Sequence, residues 1–165
     1  MGLWAIDTHN PNSFDACVSN TLLRSKADAV ALQETRLKTD AEIVSAKARA
    51  KRSGWSAHLS QAKITAAGRG SGGCGVAVRK GAGIAPVDIS EVDPRVRHRI
   101  SAAWLDVVVK GGITIILVYL AGTEGISEHN LLVLREAAAL ARALRAPWIR
   151  AGDRDVTPNA LAGTG

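Results

Sequence analysis

The chain has 165 residues, 47% of them hydrophobic and 22% charged, with a formal net charge of +6. That composition suits one globular domain and excludes a disordered or low-complexity segment. The longest apolar run, residues 113–122, is about half of the ~20 residues a membrane-spanning helix needs, and the N-terminus has no basic stretch leading into an apolar one, so an intracellular protein, nuclear or cytoplasmic and not secreted, is expected.

Residues 3–8 read as a short strand. Asn12 or Ser13 can cap a helix running to about Ser25, with Phe14, Cys17, Val18 and Leu22 on its inner face. Lys26-Ala27-Asp28 is a turn, and residues 29–33 read as a buried strand. Thr39 and Glu42 have the spacing of a capping box, opening a basic helix to about Arg52 that Gly54 closes. Residues 55–60 alternate as a strand. Residues 68–73 match G-x-G-x-x-G in letters, but a strand follows them instead of a helix, so they read as a mobile loop and not as a dinucleotide site. A strand at 75–79 and a turn at 81–83 come next. Strands at 101–109 and 113–120 are joined by Lys110-Gly111-Gly112, a strong hairpin signal. Ser127 caps a long helix through about Leu144, and residues 148–151 form a last strand that ends in an acidic loop.

The hairpin rules out a purely parallel sheet. The class is mixed α/β (α+β), with helices on one face of the sheet. The stretch 113–118 is apolar on both alternating faces and needs cover on both sides, of which the helices supply one. Cys17 and Cys74 form no paired spacing and read as reduced, packed thiols. The four histidines are scattered and offer no zinc pattern.

Two acidic strand ends carry the chemistry. Glu34 closes the strand at 29–33, and Asp153 and Asp155 follow the last strand. Carboxylates at the carboxyl edge of an α/β sheet stand where such folds place their sites, and together they can hold a hard cation such as Mg²⁺. The plainer alternative is a solvated strand-end acid and an Asp-rich turn before Pro158. An Asp-x-Asp pair alone would also suit a nucleotide-sugar transferase, which leaves Glu34 unexplained. Residues 36–80 hold ten Lys/Arg against two acids. A basic block beside an acidic edge fits a polyanionic substrate, and equally fits a solvated basic helix and loop.

Asn10, the run Ala31-Leu32-Gln33-Glu34-Thr35-Arg36-Leu37, the run Val118-Tyr119-Leu120 and the run Gly152-Asp153-Arg154-Asp155-Val156-Thr157-Pro158 resemble, in order and spacing, the endonuclease/exonuclease/phosphatase superfamily that includes exonuclease III and DNase I. The Asn-Pro-Asn-Ser-Phe segment at 10–14 and the Leu32–Leu37 run look closest to endonuclease-like domains found with retroelement reverse transcriptases. The resemblance implies a four-layer α/β/β/α sandwich and hydrolysis of phosphate esters dependent on Mg²⁺ or Mn²⁺. Carried over by position, it makes Glu34 the principal metal ligand, with Asp153 as its companion. Asn10 would set the metal or phosphate position, Tyr119 would contact the scissile phosphate, and Asp153 would orient or deprotonate the attacking water. Position 155 would hydrogen-bond the phosphate, but the family has Asn there. An ionised Asp155 accepts and does not donate, so it repels the phosphate. Position 154, usually apolar, is Arg.

The resemblance spans the N-terminal half of the family domain. The expectation is therefore one incomplete domain over residues 1–165, weakly active or inactive alone, so that whether it is an enzyme stays open. Its substrate would be nucleic acid or another phosphorylated compound, with no membrane. An uncovered sheet face would invite self-association or a missing partner segment. The alternative is a non-catalytic nucleic-acid-binding module that uses the basic residues Arg36, Lys47, Arg49, Lys51 and Arg52.

Overall fold

Two strands of this chain, Ala29–Leu32 and Ile113–Tyr119, carry buried side chains at odd and even positions alike, and the fold is the arrangement that covers both of their faces. A computed structural model describes residues 4–107, 109–122, 125 and 127–153, the side chains of Ser19 and Asp153 excepted. The strands are β1 (Ile6–His9), β2 (Ala29–Leu32), β3 (Trp55–Leu59), β4 (Lys63–Ile64), β5 (Gly70–Ser71), β6 (Gly75–Arg79), β7 (Ile84–Pro86), β8 (Ile100–Leu105), β9 (Ile113–Tyr119) and β10 (Trp148–Asp153). The helices are α1 (Phe14–Cys17), which continues as a π-turn over Val18–Leu22, then α2 (Asp40–Arg52) and α3 (Glu128–Ala143). No helix among the described residues is long and apolar enough to cross a membrane.

The first sheet has the order β1-β2-β6-β3 and the second β10-β9-β8-β7, while β4 and β5 form a separate small hairpin. β1 runs parallel to β2, and β10 parallel to β9, each pair joined through a helix; the other pairings are antiparallel. Side chains alternate between faces along each strand. Val30, Leu32 and Ala77 pack outward on Phe14, Cys17, Leu22, Ile43, Ala46 and Ala50 of α1, its π-turn and α2. Ile100, Ala102, Ile116 and Val118 pack outward on Val133, Ala137 and Ala141 of α3. The inward set, Ala29, Val76 and Val78 of the first sheet, meets Ala103, Leu105, Ile113 and Ile115 of the second. The layers are therefore helix, sheet, sheet, helix, the expected α/β/β/α sandwich, with each sheet carrying helices on its outer face alone.

One expectation changes. The face of the two-sided strand that was to lie bare is covered by the other sheet of the same chain, because β7–β10 already build a second four-stranded sheet. The exposed sheet face that would have driven self-association or recruited a missing segment is thus absent among the described residues. What stays open is a pair of edges: β1 and β10 are the outer strands on one side of the sandwich, they lie in contact, and Trp148 and Ile149 on β10 are exposed.

Local signals explain the elements. Ser13 accepts from the Ala16 amide, the capping box of Thr39 and Glu42 is formed, and Ser127 accepts from the Asn130 amide at 3.0 Å. Gly54, at φ 84°, turns the chain out of α2. Trp55 is fully buried; its indole N–H donates to the Leu22 carbonyl at 2.7 Å, and the Arg79 guanidinium lies 4.1 Å over its ring. The segment 68–73 is not the free loop expected. β5 pairs with β4, the Thr35 and Arg36 amides donate to the Gly73 and Gly72 carbonyls, and the Gly73 amide donates to the His98 carbonyl. A Cβ on Gly73 would stand 2.7 Å from Thr35 Oγ1, so glycine is what lets this strut pass between the two sheets' ends.

Two predictions follow from this packing. A Cβ on Gly152 would lie 2.0 Å from the Val118 carbonyl oxygen, so Gly152→Ala forces β10 away from β9. It is expected to lower stability by about 1–3 kcal/mol, read as a lower urea midpoint, with an unchanged midpoint as the contrary result. Burial pushes both the Cys17 and Cys74 thiols up to about 12 from an ordinary 9.0. Both should resist a thiol reagent at pH 8 until the protein unfolds. Because the unfolded chain loses these protons first, the urea midpoint should fall as pH rises above about 9.

Candidate active site

The carboxyl ends of β2 and β9 meet at one rim of the sandwich. Glu34 stands two residues beyond β2 in the left-handed region, at φ 49°, and Arg36 repeats this at φ 57°. Non-glycine residues held so cost on the order of 1–3 kcal/mol each and persist where the surroundings impose them. The surroundings here are the Gly72 and Gly73 carbonyls on one side and the Phe14 amide, which donates to the Thr35 carbonyl at 3.1 Å, on the other. Between the two strained residues, Thr35 points into the protein and is buried. Gln33 is buried as well, and its side-chain amide donates to Thr8 Oγ1 at 2.9 Å, tying β2's exit to β1.

The Glu34 carboxylate, 17% exposed, receives two donors: the Tyr119 hydroxyl on Oε1 and Arg36 Nη2 on Oε2 at 3.3 Å. Arg36 Nη2 also donates to Asn12 Oδ1, and the Asn12 amide donates to Asn10 Oδ1 at 3.2 Å. Burial raises the Tyr119 phenol well above its ordinary range, and the bond to Glu34 and that carboxylate's charge raise it further, so Tyr119 is a hydrogen-bond donor throughout the neutral range. Arg99, buried in the short turn just before β8, lies 5.8 Å over the Tyr119 ring. Its Nη1 donates to Asn130 Oδ1 at 3.2 Å; Asn130 in turn holds the Ala121 amide and carbonyl and the Gly125 carbonyl, fixing the turn after β9.

Of the residues singled out in the sequence, Asn10, Glu34, Arg36 and Tyr119 fall in one hydrogen-bonded chain. Asp153 sits in β10 at the register position beside Tyr119, in a parallel pair. Neighbouring strands lie about 4.8 Å apart, so the backbone at 153 adjoins the Tyr119–Glu34 pair. Asp155 and Arg154 lie outside the described residues. Lys47, Lys51 and Arg52 are exposed on α2; Arg49 instead bonds Asp15 and lies 5.6 Å over the Phe14 ring, beside a cavity of about 490 Å³ that Asp15 and Glu42 also line. Arg99, Asn130 and Asn12 were not legible as site residues. Their only sequence signals are a basic residue just before a strand and two Asn at a cap and a helix start.

For a divalent cation, this rim offers oxygen donors of the hard class, Glu34 and the Asn10 amide, with the backbone at Asp153 alongside. Among the described residues no group of three or more His, Cys, Asp or Glu stands ready around one point. A cation on Glu34 Oε2 would compete with the Arg36 guanidinium, which is 46% exposed and also bonded to Asn12 Oδ1.

No family model matches the chain, and no curated protein matches it. Solved structures do. A crystal structure of ANGEL2, described as a 2′,3′-cyclic phosphatase, in complex with adenosine-2′,3′-vanadate, superposes with a TM-score of 0.59 at 13% identity, over 93% of this chain and 54% of that one. A second structure of ANGEL2 gives a TM-score of 0.58 at 14% identity, over 93% of this chain and 53% of that one. The chain thus spans about half the length of these structures, and at such identity the likeness is one of fold: the sandwich built here is a fold shared with ANGEL2.

Proposed function

We propose that this chain is the Glu34-bearing half of a metal-dependent phosphoester hydrolase of the endonuclease/exonuclease/phosphatase type, acting on phosphate esters of nucleotides. The observation that carries the reading is the Tyr119 hydroxyl on the Glu34 carboxylate, with Asp153 in register beside Tyr119. The vanadate complex of a protein sharing the fold supports a phosphate-ester substrate. The likeness of residues 10–14 and 32–37 to retroelement endonuclease-like domains supports a nuclease over a phosphatase, on those runs alone.

Glu34 and Asp153 would hold Mg²⁺ or Mn²⁺, with Asn10 at its border. The ion would neutralise charge developing on the phosphate oxygens. Tyr119 donates a hydrogen bond to a phosphate oxygen once a substrate competes for the proton it now shares with Glu34. Asp153 orients the attacking water and takes its proton. Arg36 is the partly exposed counter-charge that the Glu34 carboxylate holds at 3.3 Å. An ionised Asp155 repels the phosphate, and turnover by this chain alone is slow.

Calorimetry with Mn²⁺ separates this reading from a plain nucleic-acid-binding module. Wild type should bind, Arg36→Ala should bind more tightly, and Glu34→Gln should lose the heat; equal heats in all three would remove the site. With an activated phosphodiester as substrate, the expected hydrolysis is slow, needs the divalent ion, and is lost in Glu34→Gln. Tyr119→Phe removes one hydrogen bond to a charged group, about 1.5–3 kcal/mol, and should lower kcat/KM roughly tenfold to a hundredfold.

A further inference from the structure

Beside the Glu34 rim lies a second feature that no sequence motif announced. A cavity of about 590 Å³ is lined by Lys63, Thr65, Ser71, His98, Ser127 and His129, with Arg99 at its inner wall. A second cavity, of about 380 Å³, adjoins it and shares Lys63 and His98; Arg97 lies along it. Every charged residue lining either cavity is basic, and no carboxylate among the described residues lines them. The hydroxyls of Thr65, Ser71 and Ser127 and the imidazoles of His98 and His129, whose ring centroids are 6.4 Å apart, supply neutral or cationic donors. A surface of that composition, with basic groups and hydroxyls and no carboxylate, suits an anion with several acceptor oxygens better than a hard cation.

The fold holds this groove against the Glu34 site. Arg99 forms the groove's inner wall and lies over the Tyr119 ring, whose hydroxyl reaches Glu34. The β4–β5 hairpin brings Lys63, Thr65 and Ser71, and it is locked to both sides through Gly72 and Gly73. The Gly72 carbonyl accepts from the Arg36 amide, and the Gly73 amide donates to the His98 carbonyl. A Cβ on Gly72 would lie 3.0 Å from the His98 ring and carbonyl, so the hairpin's close seat on His98 depends on glycine there. The groove, the Arg99 wall, Tyr119 and Glu34 therefore succeed one another along one rim.

We propose that this groove is a second phosphate subsite, which holds a backbone phosphate next to the reacting one, so that the substrate is a polynucleotide strand and not a mononucleotide or a sugar phosphate. The assignment of the neighbouring phosphate as the reacting one rests on the function proposed above. The groove's affinity for a polyanion does not, since it comes from Lys63, Arg97, His98 and His129. Two adjoining cavities, sharing two residues, give more room than one isolated phosphate would use.

The test is anisotropy of a fluorescein-labelled twelve-residue oligothymidylate with the full chain in EDTA, so that binding is read without catalysis. Lys63→Glu and His129→Ala change exposed or half-buried side chains, and circular dichroism melts confirm that both variants fold. Lys63→Glu should weaken binding about tenfold, and each lost phosphate contact should reduce the slope of log K against log salt by about 0.7, as for single strands. Thymidine 5′-monophosphate should compete at least a hundredfold more weakly than unlabelled oligonucleotide. Lys47→Glu with Lys51→Glu on α2 should cost less than Lys63→Glu. The proposal is overturned if Lys63→Glu and His129→Ala bind as wild type does, if the α2 pair alone carries the affinity, if the monophosphate competes equally, or if wild type shows no binding at low salt. Glu34→Gln should retain oligonucleotide binding in EDTA. If it also retains divalent-dependent hydrolysis, the catalytic reading fails while the groove stands.

Discussion

The contact on which the rest of the molecule depends is the face-to-face packing of its two sheets. The inner face of the first sheet is built of small groups, Ala29, Ala31, Cys74, Val76 and Val78, and the second sheet fills the space with Leu105, Ile113, Ile115 and Leu117. Small residues opposite large ones allow native packing density without voids. Each fully buried Leu or Ile contributes about 1.5–3 kcal/mol through the water it sheds, so this seam is a principal source of stability. It is also what makes a site. Glu34 belongs to the first sheet's rim and Tyr119 to the second's, 85 positions apart in the chain. Their hydrogen bond exists only because the sheets stack in this alignment.

Much of the fold could be read locally. The cap of α1 at Ser13, the capping box at Thr39 and Glu42 and the cap at Ser127 are short-range signals, and each stands where it was expected; the β8–β9 hairpin forms too, but β8 stops at Leu105 and not at 109, so its connection is longer than Lys110-Gly111-Gly112. The carboxyl-edge position of Glu34 was legible too, because β2 is an unbroken buried run that stops at a charge. The partner of β9's second face was not. A strand apolar on both sides requires two covers but does not say whether a helix or a sheet supplies them. β7 was lost because three residues ending in Pro86 are too short to show alternation, and Pro is tolerated there because β7 is an edge strand. The β4–β5 hairpin was lost because its glycines read as freedom, when they serve close approach to Arg36, Thr35 and His98.

The same glycines explain why the site residues sit where they do. Glu34 and Arg36 both adopt conformations that side-chain-bearing residues avoid, and Thr35 between them is pulled inward. Left to itself, the chain would relax toward an extended or helical continuation of β2, and Glu34 would turn away from the second sheet. Backbone hydrogen bonds from Thr35 at 2.9 Å and Arg36 at 3.1 Å to the Gly73 and Gly72 carbonyls offset that preference. Each such bond contributes about 0.5–1.5 kcal/mol net, comparable to the conformational cost of the residue it holds. Strain at Glu34 and glycine at 72 and 73 are thus two halves of one device.

The device also sorts charge along the rim. At the Glu34 end a carboxylate is held by a phenol and by an exposed guanidinium, an ion pair weak enough in water to yield to a stronger cation. At the groove end the charges are cationic, and Arg99 stands between the two ends, buried and bonded to Asn130. A buried guanidinium is costly unless its surroundings satisfy it, and removing a partner leaves that cost exposed. Asn130 offsets part of it while fixing the turn after β9, and the Tyr119 ring face offsets more. The arrangement therefore keeps a positive charge at a fixed depth behind the phenol that contacts Glu34. The Glu34 carboxylate and the basic groove can lie side by side without collapsing into ion pairs, because the backbone strut of Gly72 and Gly73 holds them on separate loops.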